Sequence, residues 1–171
     1  MPSRMEKAAS DAMGMIKDAK ATLKGLTGVF KHLMEEHGKV GALIKRVGMT
    51  SDTSVRAQLY PTIRSELLAH ETGELKVVYP ALAEYPAMST IVAAHARDAD
   101  ELRNAITALD GLPFGDAGWS PAFERIATMV EEHVAQEEGD YFPKAQKAIG
   151  DERAKELLPL FEAAKKSAPQ Y

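Results

Sequence analysis

The chain contains no cysteine. That removes disulfide frameworks, thiolate metal sites and cysteine nucleophiles together, so any metal must be held by histidine and carboxylate. A basic field is also missing: 21 Lys and Arg stand against 25 Asp and Glu, for a formal net charge of −4. No Lys/Arg run exceeds two residues, as at Lys165-Lys166, and nucleic-acid binding is not expected. There is no uninterrupted apolar run of about 18 residues, the length a membrane helix needs. The N-terminal MPSRMEKAASDAMGMIKDAK is broken by charges throughout and has no apolar signal core. The expectation is a cytoplasmic chain with no membrane attachment. Aromatic residues make up only 6 %, with a single Trp.

What is present is one domain's worth of chain, 171 residues with 45 % hydrophobic content, enough to bury a core. Apolar residues recur at steps of three and four, which is helical periodicity. One stripe runs Leu26, Phe30, Leu33, His37, Val40, Ile44, Val47. A second follows a Ser51-Asp52 capping signal and runs Leu59, Ile63, Leu67, His70, Glu74, Val77, with Tyr79-Pro80 as its stop. Pro61 lies inside it and marks either a first turn or a bend. A third runs Met88, Val92, His95, Ala99, Leu102, Ile106, Leu109 and ends in the turn-rich DGLPFGDAGW. The fourth opens with Ser120 as cap and Pro121 in the first position, then runs Phe123, Ile126, Val130, His133, Glu137. Trp119 reads as a loop anchor. The predicted fold is all-α, an antiparallel up-down four-helix bundle over residues 26–148. An N-terminal helical extension (1–25) and a C-terminal accessory helix and tail (149–171), capped by Asp151, complete it.

Each of the four stripes carries one inward histidine. The order His, then His-x-x-x-Glu, occurs as His37 with His70/Glu74 and again as His95 with His133/Glu137. The stretches HETGELKVVYP and HVAQEEGDYFP share this spacing and both close on an aromatic residue and Pro. A period of about 60 residues suits a pseudo-twofold bundle rather than a solenoid. Four residues along a helix is about one turn, so each His and its Glu share a face with Cβ atoms about 5–6 Å apart. Such a pair can chelate one metal, or its Glu can bridge two.

One histidine on an apolar stripe is ordinarily a hydrogen-bonded core residue. Four imidazoles and two carboxylates at matching depth are costly to bury if their charges are unpaired, and metal is the least costly explanation. His32 lies off its stripe and is assigned to the solvated face. Glu71 and Glu138 are assigned to surroundings of the site, and Tyr79 and Phe142 to helix-end packing. Imidazole with carboxylate and no sulfur suits iron or manganese pairs. The Glu-x-x-His spacing of ferritin-like di-iron bundles is absent, because Met34, Leu67, Val92 and Val130 stand three before the four histidines.

The set MEEHGKVGALIKRV, ELLAHETGELKVVYPAL, AAHARDADEL and VEEHVAQEEGDYFP resembles the hemerythrin-like, or HHE cation-binding, family over roughly residues 28–148. The resemblance implies a bundle holding two iron ions with an oxo or hydroxo bridge. It implies His37, His70, Glu74, His95, His133 and Glu137 as ligands, with the two glutamates bridging. Oxygen-carrying hemerythrins have a further histidine four residues after the third-helix ligand, where this chain has Ala99. They also have Asp five residues after the fourth-helix histidine, where this chain has Glu138. The pattern is similar to the subgroup that includes bacterial hemerythrin-like proteins and an iron-sensing domain of a ubiquitin-ligase subunit.

With six ligands and one bridge each iron keeps an open position, unless Glu71, Glu138 or a tyrosine such as Tyr60 fills it. Open positions on both irons favour turnover of peroxide or nitric oxide over simple oxygen carriage. The expected ligands are O2, H2O2, NO and azide, bound by a monomer or small homo-oligomer. Catalase-like or peroxidase-like turnover is one form of this reading. The alternative is an iron- or oxygen-responsive sensor whose bundle is stabilised by metal.

Overall fold

The computed structural model describes residues 1–169. Seven α-helices account for most of them: α1 (Arg4–Leu23), α2 (Gly28–Gly48), α3 (Thr53–Gly73), α4 (Tyr79–Ala83), α5 (Ser89–Asp110), α6 (Trp119–Gln136) and α7 (Phe142–Lys165). No strand occurs among the described residues. The four long arms of an all-α bundle are α2, α3 with its continuation α4, α5, and α6. No described helix is long and apolar enough to cross a membrane.

Helix ends follow local chemistry, with some departures from the sequence reading. Asp52 caps α3, its carboxylate accepting from the Ser54 N–H at 2.8 Å. The helix starts there, and Pro61 lies in its interior rather than at its beginning. The α6 helix starts one residue before the expected Ser120 cap. The Ser120 hydroxyl instead accepts from the Arg56 guanidinium at 2.6 Å, and Arg56 also lies over the ring of buried Trp119. That joins the 111–118 turn to α3.

The Tyr79-Pro80 pair does not stop its helix. The chain widens into a π turn at Glu74–Val78, in which the Tyr79 N–H donates to the Glu74 carbonyl, and then runs on as α4. The same happens at Glu137–Tyr141, where Phe142 donates to Glu137 and α7 follows. A proline has no N–H and its ring collides with the carbonyl four residues back. Starting a fresh helical segment one residue before each proline avoids both penalties. The extra residue turns the register: Val78 is fully buried, whereas Val77, expected on the inward stripe, is only partly so.

Two apolar cores result. One gathers Phe30, Leu33, Met34, Val78, Leu82, Ile91 and Phe142 with Ala154, Leu157 and Phe161 of α7. The other gathers Val40, Ile44, Leu59, Ile63, Leu102, Ile106, Trp119, Phe123 and Ile126. The four histidines occupy the level between them, one per arm.

The α7 helix carries a break at Gly150, whose φ of 78° lies in the left-handed region. Beyond it the chain turns back so that Phe161 is fully buried in the first core. The α1 helix lies on α2 at a close crossing. A Cβ on Gly38 would come within 2.4 Å of the Met13 carbonyl oxygen, and Ser10 donates to the Lys39 carbonyl at 2.8 Å.

Gly28 opens α2 at φ +52°, and a Cβ there would lie 2.2 Å from the Ala154 carbonyl oxygen. Gly41, inside the same helix, faces open space. Gly28→Ala is expected to cost more than about 2 kcal/mol in urea unfolding. Gly41→Ala should gain about 0.5–1 kcal/mol through helix propensity. Equal effects at the two sites would contradict the α2–α7 contact.

Candidate metal centre

His37 comes from α2, His70 from α3 with Glu74 on the π turn that follows, His95 from α5, and His133 from α6 with Glu137 on the second π turn. All six converge at the bundle centre. His37 and His70 bring their Nε2 atoms to 3.3 Å, and the His95 and His133 rings sit 5.2 Å apart. The imidazoles thus form two pairs. Each glutamate reaches into both: Glu74 Oε2 lies 3.5 Å from His70 and 3.7 Å from His95, and Glu137 Oε2 lies 3.3 Å from both His37 and His133. That placement suits a carboxylate spanning two metal positions.

The groups are buried and largely without hydrogen-bond partners. Glu74 and Glu137 are fully inaccessible. Both Glu74 oxygens, Glu137 Oε2, Glu71 Oε2 and both ring nitrogens of His95 and of His133 accept or donate no hydrogen bond. An unsatisfied buried polar group costs about 1–3 kcal/mol, and a charged one more. Glu74, His95, His133 and Glu137 form one cluster with ligand atoms within 4.8 Å, and His37, His70 and Glu137 form another. Two cations sharing Glu137 would engage one atom of each clustered residue, and a set of imidazole and carboxylate donors is suited to iron or manganese.

The backing of the two histidine pairs differs. The His37 Nδ1–H donates to Glu138 at 3.1 Å, and Lys17 of α1 holds that carboxylate at 2.5 Å. The His70 Nδ1–H donates to Glu36 at 3.0 Å, and Glu36 is ion-paired with Lys165 of α7. A carboxylate can only accept, so these bonds fix the tautomer and leave Nε2 facing the centre. On the other side, His95 stacks on Tyr79 with centroids 3.5 Å apart and planes 4° from parallel, and the Tyr79 hydroxyl donates to Glu137 Oε1 at 2.5 Å. His37 stacks on Phe142 at 5.8 Å.

Tyr79 and Phe142 therefore do more than close helix ends. They occupy equivalent places after the two π turns, each against an α2 or α5 histidine. Tyr60 lies in the second core and donates to Asp110 at 2.9 Å, away from the centre. Glu71 is buried with oxygens 3.8 Å from His95 and from His133, so it borders the centre directly. His32 is half-buried between Glu36, at 3.1 Å, and Glu162. Sequence reading passed over Glu36; its only local signal is its place four residues after His32.

Burial and mutual repulsion set the protonation of the metal-free centre. Burial pushes Glu71 up to about 7. Burial, then the nearby Glu137 and Glu71, holds Glu74 well above the usual carboxylate range. Burial disfavours a charged His37, but Glu137 and Glu138 outweigh it and push its pKa up to about 9. His95 is pulled down to about 3 by burial. Burial opposes a charged Glu137, yet His133 and His37 hold its pKa low.

A cavity of about 570 Å³ reaches this level from the side of α1. Its walls include Val40, Leu43, Leu67, Leu102 and Val130, and His37, His70, Glu71 and His133 stand at its inner end.

Residues 28–145 match the model of the Hemerythrin HHE cation binding domain. The chain belongs to that family. It is 20 % identical over 149 residues to an uncharacterized hemerythrin-like protein of Schizosaccharomyces pombe, covering 85 % of this chain and 73 % of the yeast protein. It is also 20 % identical over 170 residues to a DNA nickase of Nostoc sp. (strain PCC 7120 / SAG 25.82 / UTEX 2576), covering 92 % of this chain. The chain spans 48 % of that relative's length. No solved structure matches.

Protonated Glu71, Glu74 and His37 must give up protons before they can bind a cation. Metal affinity should therefore rise from pH 6 to pH 9, by about tenfold per pH unit for each proton displaced. An indicator dye in weak buffer should register acid released on adding metal. Constant affinity with no proton release would exclude these groups as ligands.

Proposed function

We propose that the chain is a non-heme di-iron protein that binds or reacts with O2, hydrogen peroxide or nitric oxide. The observation that carries this reading is the convergence of buried, unpartnered imidazole and carboxylate atoms from four helices into two clusters that share Glu137. Two irons held there would supply redox chemistry to a small ligand.

The protein's own residues define what such a centre can do. Glu74 and Glu137 span the two positions. Glu138 with Lys17 and Glu36 with Lys165 fix the His37 and His70 rings and make them more basic. Tyr79 holds a proton against Glu137 Oε1. The largely apolar cavity admits small neutral molecules to His37, His70 and His133 and disfavours bulk ions. Ala99 in place of a further histidine leaves a position open, which favours turnover over carriage alone. A DNA-nicking role like that of the Nostoc relative has no support here, because the net charge of −4 offers no phosphate-binding field.

A sensor reading has one observation in its favour. Lys17 ties α1 through Glu138 to His37, so metal occupancy would be felt at the outer helix. In that reading, removing iron would lower the melting temperature and loosen α1.

Metal analysis of the purified chain, with ultraviolet-visible spectra before and after azide, comes first. About two irons per chain with azide-sensitive charge-transfer bands are expected. Peroxide consumption should then exceed that of free iron and disappear in His70→Ala. One or no iron per chain, or zinc without such bands, would overturn the di-iron reading.

A further inference from the structure

A second, smaller cleft of about 110 Å³ lies between α3, α5 and α6 and meets the large cavity at Glu71, Leu102 and His133. Asp98 and Glu101 of α5 and Glu132 and Gln136 of α6 line its outer part, and Glu71 and His133 line its floor. Its chemistry is opposite to that of the large cavity. Asp98, Glu101 and Glu132 form no hydrogen bond or ion pair with any described residue. The neighbouring Arg103 guanidinium lies 3.3 Å from Asp100, and its charge also reaches Glu71. Glu71 is 6 % exposed with Oε2 unpartnered, and His133 has both ring nitrogens unpartnered. An outer ring of free carboxylates thus leads to an unsatisfied buried carboxylate and imidazole.

The contrast with the other histidine pair gives the cleft its direction. His37 and His70 are backed by carboxylates already neutralised by Lys17 and Lys165, and Lys7 and Lys39 stand with Glu66 around the cavity on that side. His133 has no such backing and stands at the floor of the acidic cleft.

We propose that this cleft is the entrance by which a divalent cation reaches the centre, passing from Asp98, Glu101 and Glu132 to Glu71 and then to His133. The proposal rests on the metal-centre reading. It divides the traffic: cations cross the acidic cleft, and small neutral ligands cross the apolar cavity. Clustered like charges at the mouth of a low-dielectric cleft concentrate counter-ions and raise association rates by about 10–10³-fold.

The test is the rate at which metal-free full-length chain takes up Co²⁺ alone, followed by visible absorption in a stopped-flow instrument. The variant D98N/E101Q/E132Q should load about tenfold more slowly than the unaltered chain at low ionic strength. The same cobalt content should be reached at saturation. The control E84Q/E124Q/E152Q removes equal charge from exposed positions that do not line the cleft and should load at the unaltered rate. In about 1 M salt, where charges are screened beyond about 3 Å, the difference should close. If the two variants load equally fast, or the cleft variant binds fewer ions at saturation, the entrance is overturned while the centre stands. If the unaltered chain takes up no cobalt, the centre itself is overturned.

Discussion

Glu74 and Glu137 lie fully out of reach of water between four imidazoles, at the one level of the bundle where the apolar cores give way. Removing a carboxylate from water costs several kcal/mol unless an opposite charge or hydrogen bonds replace the solvent. The surroundings are arranged to meet that demand in part. Tyr79 donates to Glu137, and His37 and His133 face it at 3.3 Å. Burial, with Glu137 and Glu71 beside it, holds the Glu74 carboxyl well above the usual carboxylate range. The remaining deficit is electrostatic, and it is what makes a cation the natural complement of the centre.

The two π turns belong to the same arrangement. Each begins at the glutamate of a His-x-x-x-Glu pair and ends just before an aromatic residue followed by proline. By inserting one residue per turn, each rotates the chain so that Tyr79 and Phe142 face His95 and His37 across the bundle. A regular helix would have carried Val77 rather than Val78 into the core. The repeat is thus one of backbone geometry as well as of His-x-x-x-Glu spacing, and the proline is the local cause in both copies.

The fold and the inward placement of the six candidate residues were legible in the chain because they follow a single period, with one histidine on each apolar stripe. The all-α bundle and the inward facing of His37, His70, His95, Glu74 and Glu137 needed nothing else. What periodicity could not reveal depends on distant partners or on a break in the period. Lys17 meets Glu138 and Lys165 meets Glu36 across more than 100 residues, and no local pattern announces either pair. The roles of Tyr79 and Phe142 were hidden because proline after an aromatic ordinarily signals a helix end. Glu71 was placed in the surroundings of the site rather than at its centre, since adjacent helix positions normally face apart. It is buried all the same, because α5 and α6 close over it.

Both lysines lie outside residues 28–145, the part of the chain that matches the family model. The family's helices bring the imidazoles and carboxylates together, and the flanking α1 and α7 then make the two halves unequal. A carboxylate accepting from an imidazole N–H makes the opposite nitrogen a stronger donor. The lysine behind it tempers that effect while fixing the ring. His37 and His70 have this support, whereas both nitrogens of His95 and of His133 are unpartnered and His95 rests on the face of Tyr79. Two cations in this bundle would therefore meet different donor strengths in spite of matching ligand types. The more basic His37/His70 position would favour the higher charge, and the His95/His133 position would exchange more readily with the acidic cleft beside it.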